Sequence, residues 1–308
     1  TVTGHHCGYE CYEDDITGGD VTVHIYVIKV AFSEVSADSG FEAGNEYSAP
    51  WLVVRKDSTN TCNVTVTPSS AASHIYLTFS QGNVASVSPS QLTSSPQTIT
   101  VTGIAMGHVN LHARAGGTNG VYCGLLYVCV RNRKQVSYNA HFVIDSATPP
   151  HSTIRTSADL TSMTATLNST YDQQSNIVFS CGSYDSPTLN ADYGSSIQMG
   201  GAQSELAAFP PLCSGSPDAF FVWELELWND WFYADVSGLN LGGMIWIDDD
   251  RSPTDDTLSH EMGHYLGLTP PIDADYGGLF ERANELMNKW TPPNGYKILH
   301  SQVDIMNP

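Results

Sequence analysis

The sequence predicts two domains, an all-β sandwich followed by a mixed α/β domain. Three observations predict this: the chain length, a change of pattern near residue 134, and a capped helix close to the C-terminus. At 308 residues the chain is long enough for two compact domains, each with its own core. A polar, basic run at 131–135 interrupts the strand pattern, which places the domains at 1–134 and 135–308.

The first domain alternates short β-branched and aromatic runs with turn residues. Clear examples are residues 97–103, 107–111 and 124–130. Runs of this length and spacing are typical of two packed antiparallel sheets. The stretch 83–111 resembles bacterial immunoglobulin-like modules, and this resemblance implies an immunoglobulin-like sandwich that acts as a spacer or in adhesion.

The second domain has a strand, helix, strand order. Residues 140–145 and 175–179 are strand-like, and apolar residues spaced three and four apart mark one helix face between them: Leu160, Met163, Leu167 and Tyr171. Further strands are expected at 220–225 and 241–247. This order predicts a mixed sheet with helices.

The charge and composition exclude several partners. The formal net charge is -20, so a nucleic-acid backbone would repel the chain. No stretch approaches the roughly 20 apolar residues of a membrane span, so membrane insertion is not expected. Only 14% of residues are charged, well below the roughly 25% of an ordinary soluble domain, a composition that favours a secreted, extracellular protein.

Seven cysteines are spread along the chain and form no C-x-x-C pair. This spacing favours disulfides in an oxidising compartment over a structural metal cluster. The simplest count is three bridges and one thiol. The expected pairs include Cys181 with Cys213 and Cys7 with Cys11.

A helix-start signature follows three aspartates at 248–250. Ser252 is expected at the N-cap, Pro253 at the first helical position and Asp255 three residues after the cap. The helix is expected to run to about Gly267.

Two histidines on this helix have metal-ligand spacing. His260 and His264 are four residues apart, so both imidazoles project from one face and can share a tetrahedral zinc ion. Glu261 lies beside that face, where it can act as a general base on water without binding the metal. The pattern predicts hydrolysis of a peptide bond by metal-activated water, with Zn²⁺ as the cofactor.

The run 260–268 resembles the metzincin superfamily of zinc peptidases, whose motif is H-E-x-x-H-x-x-G-x-x-H. The resemblance implies a zincin catalytic domain in which Gly267 lets the chain turn out of the helix. The position of the third histidine holds Pro270, which cannot bind a metal. His300 is the preferred third ligand, because residues 300–308 resemble the segment that runs into the metzincin methionine turn, with Met306 as an apolar floor below the zinc.

Other third ligands stay open. Asp273 and Asp275 lie just past the glycine turn, and some metzincin relatives use aspartate. Glu285, or less favourably Glu281, resembles the second glutamate of the thermolysin-like peptidases. The resemblance also implies an edge strand that holds an extended substrate at Gly243, Met244 and Ile245.

The predicted function is therefore a secreted, zinc-dependent endopeptidase acting on proteins or peptides. Two alternatives remain: an inactive zincin-like surface adhesin that binds glycans or proteins, and a thermolysin-like peptidase with Glu285 as its ligand. Calcium is a second candidate cation, because aspartates cluster at 248–250 and 255–256. Solvated acids at a helix start explain that cluster better.

Overall fold

The computed structural model describes a β-rich chain in two compact units. The described residues are 27–36, 39–44, 49–200, 205, 209, 215–228, 233–241, 243–250, 252–268, 298 and 300–308. One unit comprises residues 1–133 with 173–176, and the other comprises 134–172 with 177–308. The division lies one residue from the boundary expected between 134 and 135.

The first unit is built from two sheets. The strands are β1 Lys29–Ser33, β2 Phe41–Glu42, β3 Trp51–Arg55, β4 Thr59–Thr67, β5 Ile75–Phe79, β6 Ala85–Ser88, β7 Gln97–Gly103, β8 Gly107–Ala115 and β9 Val121–Arg131, with a 3-10 helix at Ser69–His74. One sheet has the strand order β1-β4-β7-β6 and the other β2-β3-β9-β8-β5, and among these described strands only β3 and β9 pair in parallel.

One apolar core lies between these sheets. Alternate residues of β7 and β8 are buried, as expected where a strand turns one face to a core. Leu52, Ile99 and Leu126, from three different strands, are fully buried in it. The sandwich predicted from the alternating runs is confirmed.

The second unit contains a five-stranded mixed sheet with the order β11-β10-β13-β17-β16. The first four strands are parallel, and β16 is an antiparallel edge strand. A smaller sheet has the order β12-β14-β15. The strands are β10 Lys134–Phe142, β11 Ile177–Asp185, β12 Ile197–Met199, β13 Asp218–Val222, β14 Leu225–Trp228, β15 Tyr233–Asp235, β16 Gly238–Leu241 and β17 Met244–Asp248.

Three helices are described: α1 Leu160–Ser175, α2 Thr257–Tyr265 and α3 His300–Met306. Helix α1 connects the parallel strands β10 and β11, so the predicted strand, helix, strand order is confirmed. Its predicted apolar face is buried at all four positions, Leu160, Met163, Leu167 and Tyr171. None of the described helices is long and apolar enough to cross a membrane.

Two of the disulfide expectations are wrong, the count of three bridges and the pairing of Cys181 with Cys213, and the expected pair of Cys7 with Cys11 lies outside the described residues. Cys62, Cys129 and Cys181 carry thiols, so the pairing of Cys181 with Cys213 does not form. With three thiols among seven cysteines, at most two bridges can exist rather than three. Cys123 is disulfide-bonded, and its partner lies outside the described residues. Burial raises the pKa of the Cys62 thiol to about 12, because an apolar core disfavours the thiolate.

A pair of substitutions on β9 tests the position of the first core. Leu126 is fully buried, whereas the Val121 side chain on the same strand is 48% exposed. We predict that Leu126→Ala lowers the free energy of unfolding by about 2–5 kcal/mol because it leaves a cavity, and that Val121→Ala changes it by less than about 0.5 kcal/mol. Urea denaturation measures both, and equal losses would contradict this core.

Candidate metal centre

Helix α2 begins later than the sequence suggested. It starts at Thr257 rather than just after Ser252. Ser252 instead closes a turn, accepting hydrogen bonds from the Asp255 backbone N–H on its carbonyl at 3.1 Å and from the Thr254 N–H on its hydroxyl at 3.3 Å. The Asp255 carboxylate then accepts the Thr257 N–H at 3.0 Å. The capping residues are therefore used in a turn before the helix.

His260 and His264 lie in contact on one face of α2. Their ring centroids are 5.0 Å apart and their planes are nearly perpendicular, at 84°. The Nδ1 of His264 donates a hydrogen bond to the Leu268 carbonyl at 2.9 Å. This bond leaves the Nε2 of His264 without a proton, which is the form that binds a metal.

Gly267 turns the chain out of the helix. Its φ is +95°, a left-handed conformation that favours glycine. The Leu268 N–H bonds the Gly263 carbonyl at 2.9 Å, which ends the helix. The turn brings the Leu268 carbonyl to the His264 ring, so the glycine also fixes the orientation of that imidazole.

Glu261 lies between the two histidines in the sequence, and it is buried. Its side chain is 6% exposed, and Oε2 has no hydrogen-bond partner among the described residues. Burial raises the pKa of this carboxyl group to about 8, because an apolar site disfavours the charged form. A buried carboxylate oxygen without a donor is costly for folding, and such groups mark sites where a ligand or substrate supplies the missing interaction.

The edge strand β16 packs closely on Glu261. A Cβ at Gly238 would lie 2.9 Å from Thr257 Cγ2 and 3.0 Å from both Cγ and Oε1 of Glu261, so a larger residue there would have to shift these two side chains. The Asn240 side-chain amide donates to the Glu261 main-chain carbonyl at 2.9 Å. Neither Gly238 nor Asn240 is predicted from the sequence, because neither belongs to a motif.

Tyr171, on α1, is hydrogen-bonded to helix α2. Its hydroxyl donates to the Ser259 carbonyl at 2.6 Å, one residue before His260. Burial, and then the nearby Glu261 charge, raise the pKa of Tyr171 well above its usual value. The apolar spacing on α1 predicted Tyr171 as a core residue, but no local pattern predicts its hydrogen bond to α2.

The predicted substrate strand is wrong in one respect. Met244 and Ile245 lie on β17, which pairs with β13 on one side and β16 on the other. Their backbone groups are therefore not available to a peptide. Gly243 lies in the turn before β17, with a φ of +97°. The single strand expected at 241–247 is a hairpin, and its edge strand is Gly238–Leu241.

Residues 300–306 form a helix rather than the expected methionine turn. Met306 is fully buried, and its carbonyl accepts a hydrogen bond from Lys134 Nζ at 2.7 Å. Helix α3 lies beside the end of α2, since a Cβ at Gly267 would meet Ile305 at 3.4 Å. The side chain of His300 and all of Asp273, Asp275, Glu281 and Glu285 lie outside the described residues.

Two of the clustered aspartates already bind protein donors. The Asp248 carboxylate accepts the N–H groups of Leu225 and Asp250, each at 2.6 Å. Asp249 accepts the Thr153 hydroxyl and the Ile154 N–H, also at 2.6 Å. Burial raises the pKa of Asp248 to about 6. These bonds explain the cluster without an ion, and calcium here stays a prediction.

Comparisons with known proteins give little. No protein-family model and no curated protein matches the chain. Among solved structures, domains 4 and 5 of the S-layer protein SbsC match with 26% identity over 29% of this chain and 51% of that chain, at a TM-score of 0.22. Domains 5–6 of the same protein match with 28% identity over 25% and 38%, at a TM-score of 0.20. The chain thus spans about half or less of these structures, and similarity at this level carries no argument.

The raised pKa of Glu261 gives a prediction for the metal-free protein. Its folded-state pKa of about 8 lies above the ordinary glutamate value of 4.5, so the folded chain retains a proton that the unfolded chain releases. The stability from the neutral carboxyl is complete at low pH and is lost between about pH 4.5 and pH 8, by on the order of a few kcal/mol. Glu261→Gln should therefore gain stability relative to the parent as pH rises through this window.

Chelator-treated proteins unfolded in urea at several pH values give the measurement. The matched control is Glu34→Gln, at a residue that is exposed in the first unit, and its difference from the parent should not change with pH. A stability difference for Glu261→Gln that stays flat from about pH 5 to pH 8 would contradict the buried, neutral carboxyl.

Proposed function

We propose that the chain is a secreted zinc-dependent endopeptidase whose catalytic centre is helix α2. The observation that carries the proposal is the carboxyl group of Glu261. It is buried, has an unpartnered oxygen among the described residues, and lies next to two imidazoles that share a helix face. Two imidazoles on one helix face suit a metal, and a carboxyl group next to them suits a general base.

The donor set fits zinc. Imidazole nitrogens are preferred zinc ligands, and the hydrogen bond from His264 to Leu268 leaves Nε2 for the metal. His300 is the proposed third ligand, and Asp273, Asp275 and Glu285 are its alternatives. A zinc ion held there supplies Lewis acidity and lowers the pKa of water from 15.7 to roughly 7.

Glu261 moves the proton in this proposal. Its carboxylate accepts a proton from the attacking water and donates it to the nitrogen of the leaving amine. The Asn240 side chain bonds the main-chain carbonyl of Glu261, and the missing side chain at Gly238 leaves room for the carboxyl group.

The edge strand β16 is the proposed docking site for substrate. Among the described residues it pairs only with β17, so its other edge offers backbone groups to an extended peptide. This strand replaces Gly243, Met244 and Ile245 as the site of peptide pairing. The glycine turn at Gly267 supports a metzincin-like domain over a thermolysin-like one, with an immunoglobulin-like sandwich as the first unit.

Replacement of the general base tests the activity. We predict that the parent cleaves a mixed protein substrate only with zinc, and that Glu261→Gln lowers kcat by about 10²–10⁴-fold while zinc content stays unchanged. The matched control, Glu34→Gln, should keep full activity. Chelator-resistant cleavage, or none at all with zinc bound, would rule out this function.

A second test identifies the third ligand. We predict that His300→Ala weakens zinc binding at this centre by more than about 100-fold, since loss of a direct ligand exceeds the 10–100-fold effect of supporting groups. Asp273→Ala and Asp275→Ala should leave it unchanged. Metal analysis after dialysis against a zinc buffer gives the measurement, and full occupancy in the His300 variant would show that another residue completes the site.

A further inference from the structure

Two histidines of the second unit each lie between two aspartates. His141 bonds Asp185 through Nδ1 at 2.6 Å and Asp218 through Nε2 at 3.2 Å. Each carboxylate therefore has a ring nitrogen of its own. The imidazole of His141 thus bridges the two acids.

The second group is arranged differently, because both aspartates approach the same nitrogen. The Nδ1 of His151 lies 2.8 Å from Asp145 Oδ2 and 3.8 Å from Asp192 Oδ1. A single N–H can serve Asp145, but 3.8 Å is too long for a hydrogen bond to Asp192. Two carboxylate oxygens thus converge on one ring nitrogen.

The Asp145 carboxylate is fixed in place before any ligand arrives. Its side chain is fully buried, and it accepts the backbone N–H groups of His151 at 2.8 Å, Ala147 at 3.1 Å and Tyr193 at 3.3 Å. Burial alone raises the pKa of Asp145, but the bonds from His151, Ala147 and Tyr193 outweigh it and lower the pKa. The orientation of this carboxylate is therefore set by the chain's own backbone donors.

The imidazole is fixed as well. The His151 ring stacks on Trp223 with ring centroids 5.7 Å apart and an interplanar angle of 26°. The Trp223 indole N–H bonds the Gly194 carbonyl at 3.2 Å, and the Gly194 N–H bonds Asp192 Oδ1 at 2.9 Å. The loop that carries Asp192 thus also holds Trp223, which stacks on the His151 ring.

We propose that Asp145, His151 and Asp192 form a second divalent-cation site, of the zinc class, that is independent of helix α2. One ligand atom from each residue lies within 4.8 Å of the other two, a spacing that a single ion can bridge. One imidazole nitrogen with two carboxylate oxygens suits zinc better than calcium or magnesium, which take oxygen ligands.

The ion takes the place of the ring proton that lies between His151 and Asp145. His151 releases the Nδ1 proton to solvent, and its lone pair and the two carboxylates then bind the cation. Asp145 keeps all of its backbone hydrogen bonds, because only the His151 ring proton is replaced. The bound ion joins the segment that follows β10 to the segment that follows β11, so its role is structural.

Zinc binding by variants of the whole chain tests this site. In a background of His260→Ala with His264→Ala, the chain should still bind about one zinc ion. Adding Asp192→Asn should weaken that binding by at least about tenfold, while Asp185→Asn should not. The control is closely matched, because Asp185 and Asp192 side chains are both 63% exposed and each lies against a histidine Nδ1.

The same variants in the parent background guard against a misfolded double variant. There Asp192→Asn should bind about one zinc ion per chain fewer than Asp185→Asn. His151→Phe, which keeps a ring against Trp223, should behave like Asp192→Asn. Equal zinc content in the Asp192 and Asp185 variants, or displacement of the zinc by millimolar calcium, would overturn the proposal. Failure of the catalytic proposal leaves this result unaffected.

Discussion

Burial of the Glu261 carboxyl group is the constraint around which the end of the second unit is arranged. Removing a carboxylate from water without donors is expensive, so a chain selected only for stability would place an apolar residue there. Here the neighbouring residue is Gly238, whose lack of a side chain leaves room for the carboxyl group. Tyr171 and Asn240 bond main-chain carbonyls of α2. The surroundings hold the helix in place, and no described residue supplies a donor to Oε2.

The parts of this arrangement that depend on local periodicity could be predicted from the sequence. Four-residue spacing alone places His260 and His264 on one face, and the same rule predicts the buried face of α1. Gly267 was predictable for a similar reason, because a left-handed turn after a helix favours glycine. The start of α2 was not, since the Ser252 and Asp255 side chains can cap either a helix or a turn, and here they stabilise the turn.

Features set by long-range pairing could not be predicted. Whether a strand is an edge strand depends on which strands flank it, and the residues 241–247 carry no sign that β13 pairs with them. Disulfide pairing could not be predicted for the same reason. Cys181 and Cys213 lie in the same domain of the sequence, but Cys181 carries a thiol. Gly238 is the clearest case, because its role comes from the closeness of Glu261, 23 residues away in the printed sequence.

The parallel sheet explains why acidic residues gather where they do. The carboxyl ends of parallel strands meet at one edge of a sheet, and outgoing loops there leave N–H groups without strand partners. Asp145 follows β10 and Asp248 ends β17, and each accepts at least two such N–H groups. These carboxylates stabilise the loops as acceptors. The two acids differ in the imidazole beside them: the Nδ1 of His151 lies 2.8 Å from the Asp145 carboxylate and 3.8 Å from that of Asp192, so a metal-ligating nitrogen is present next to Asp145.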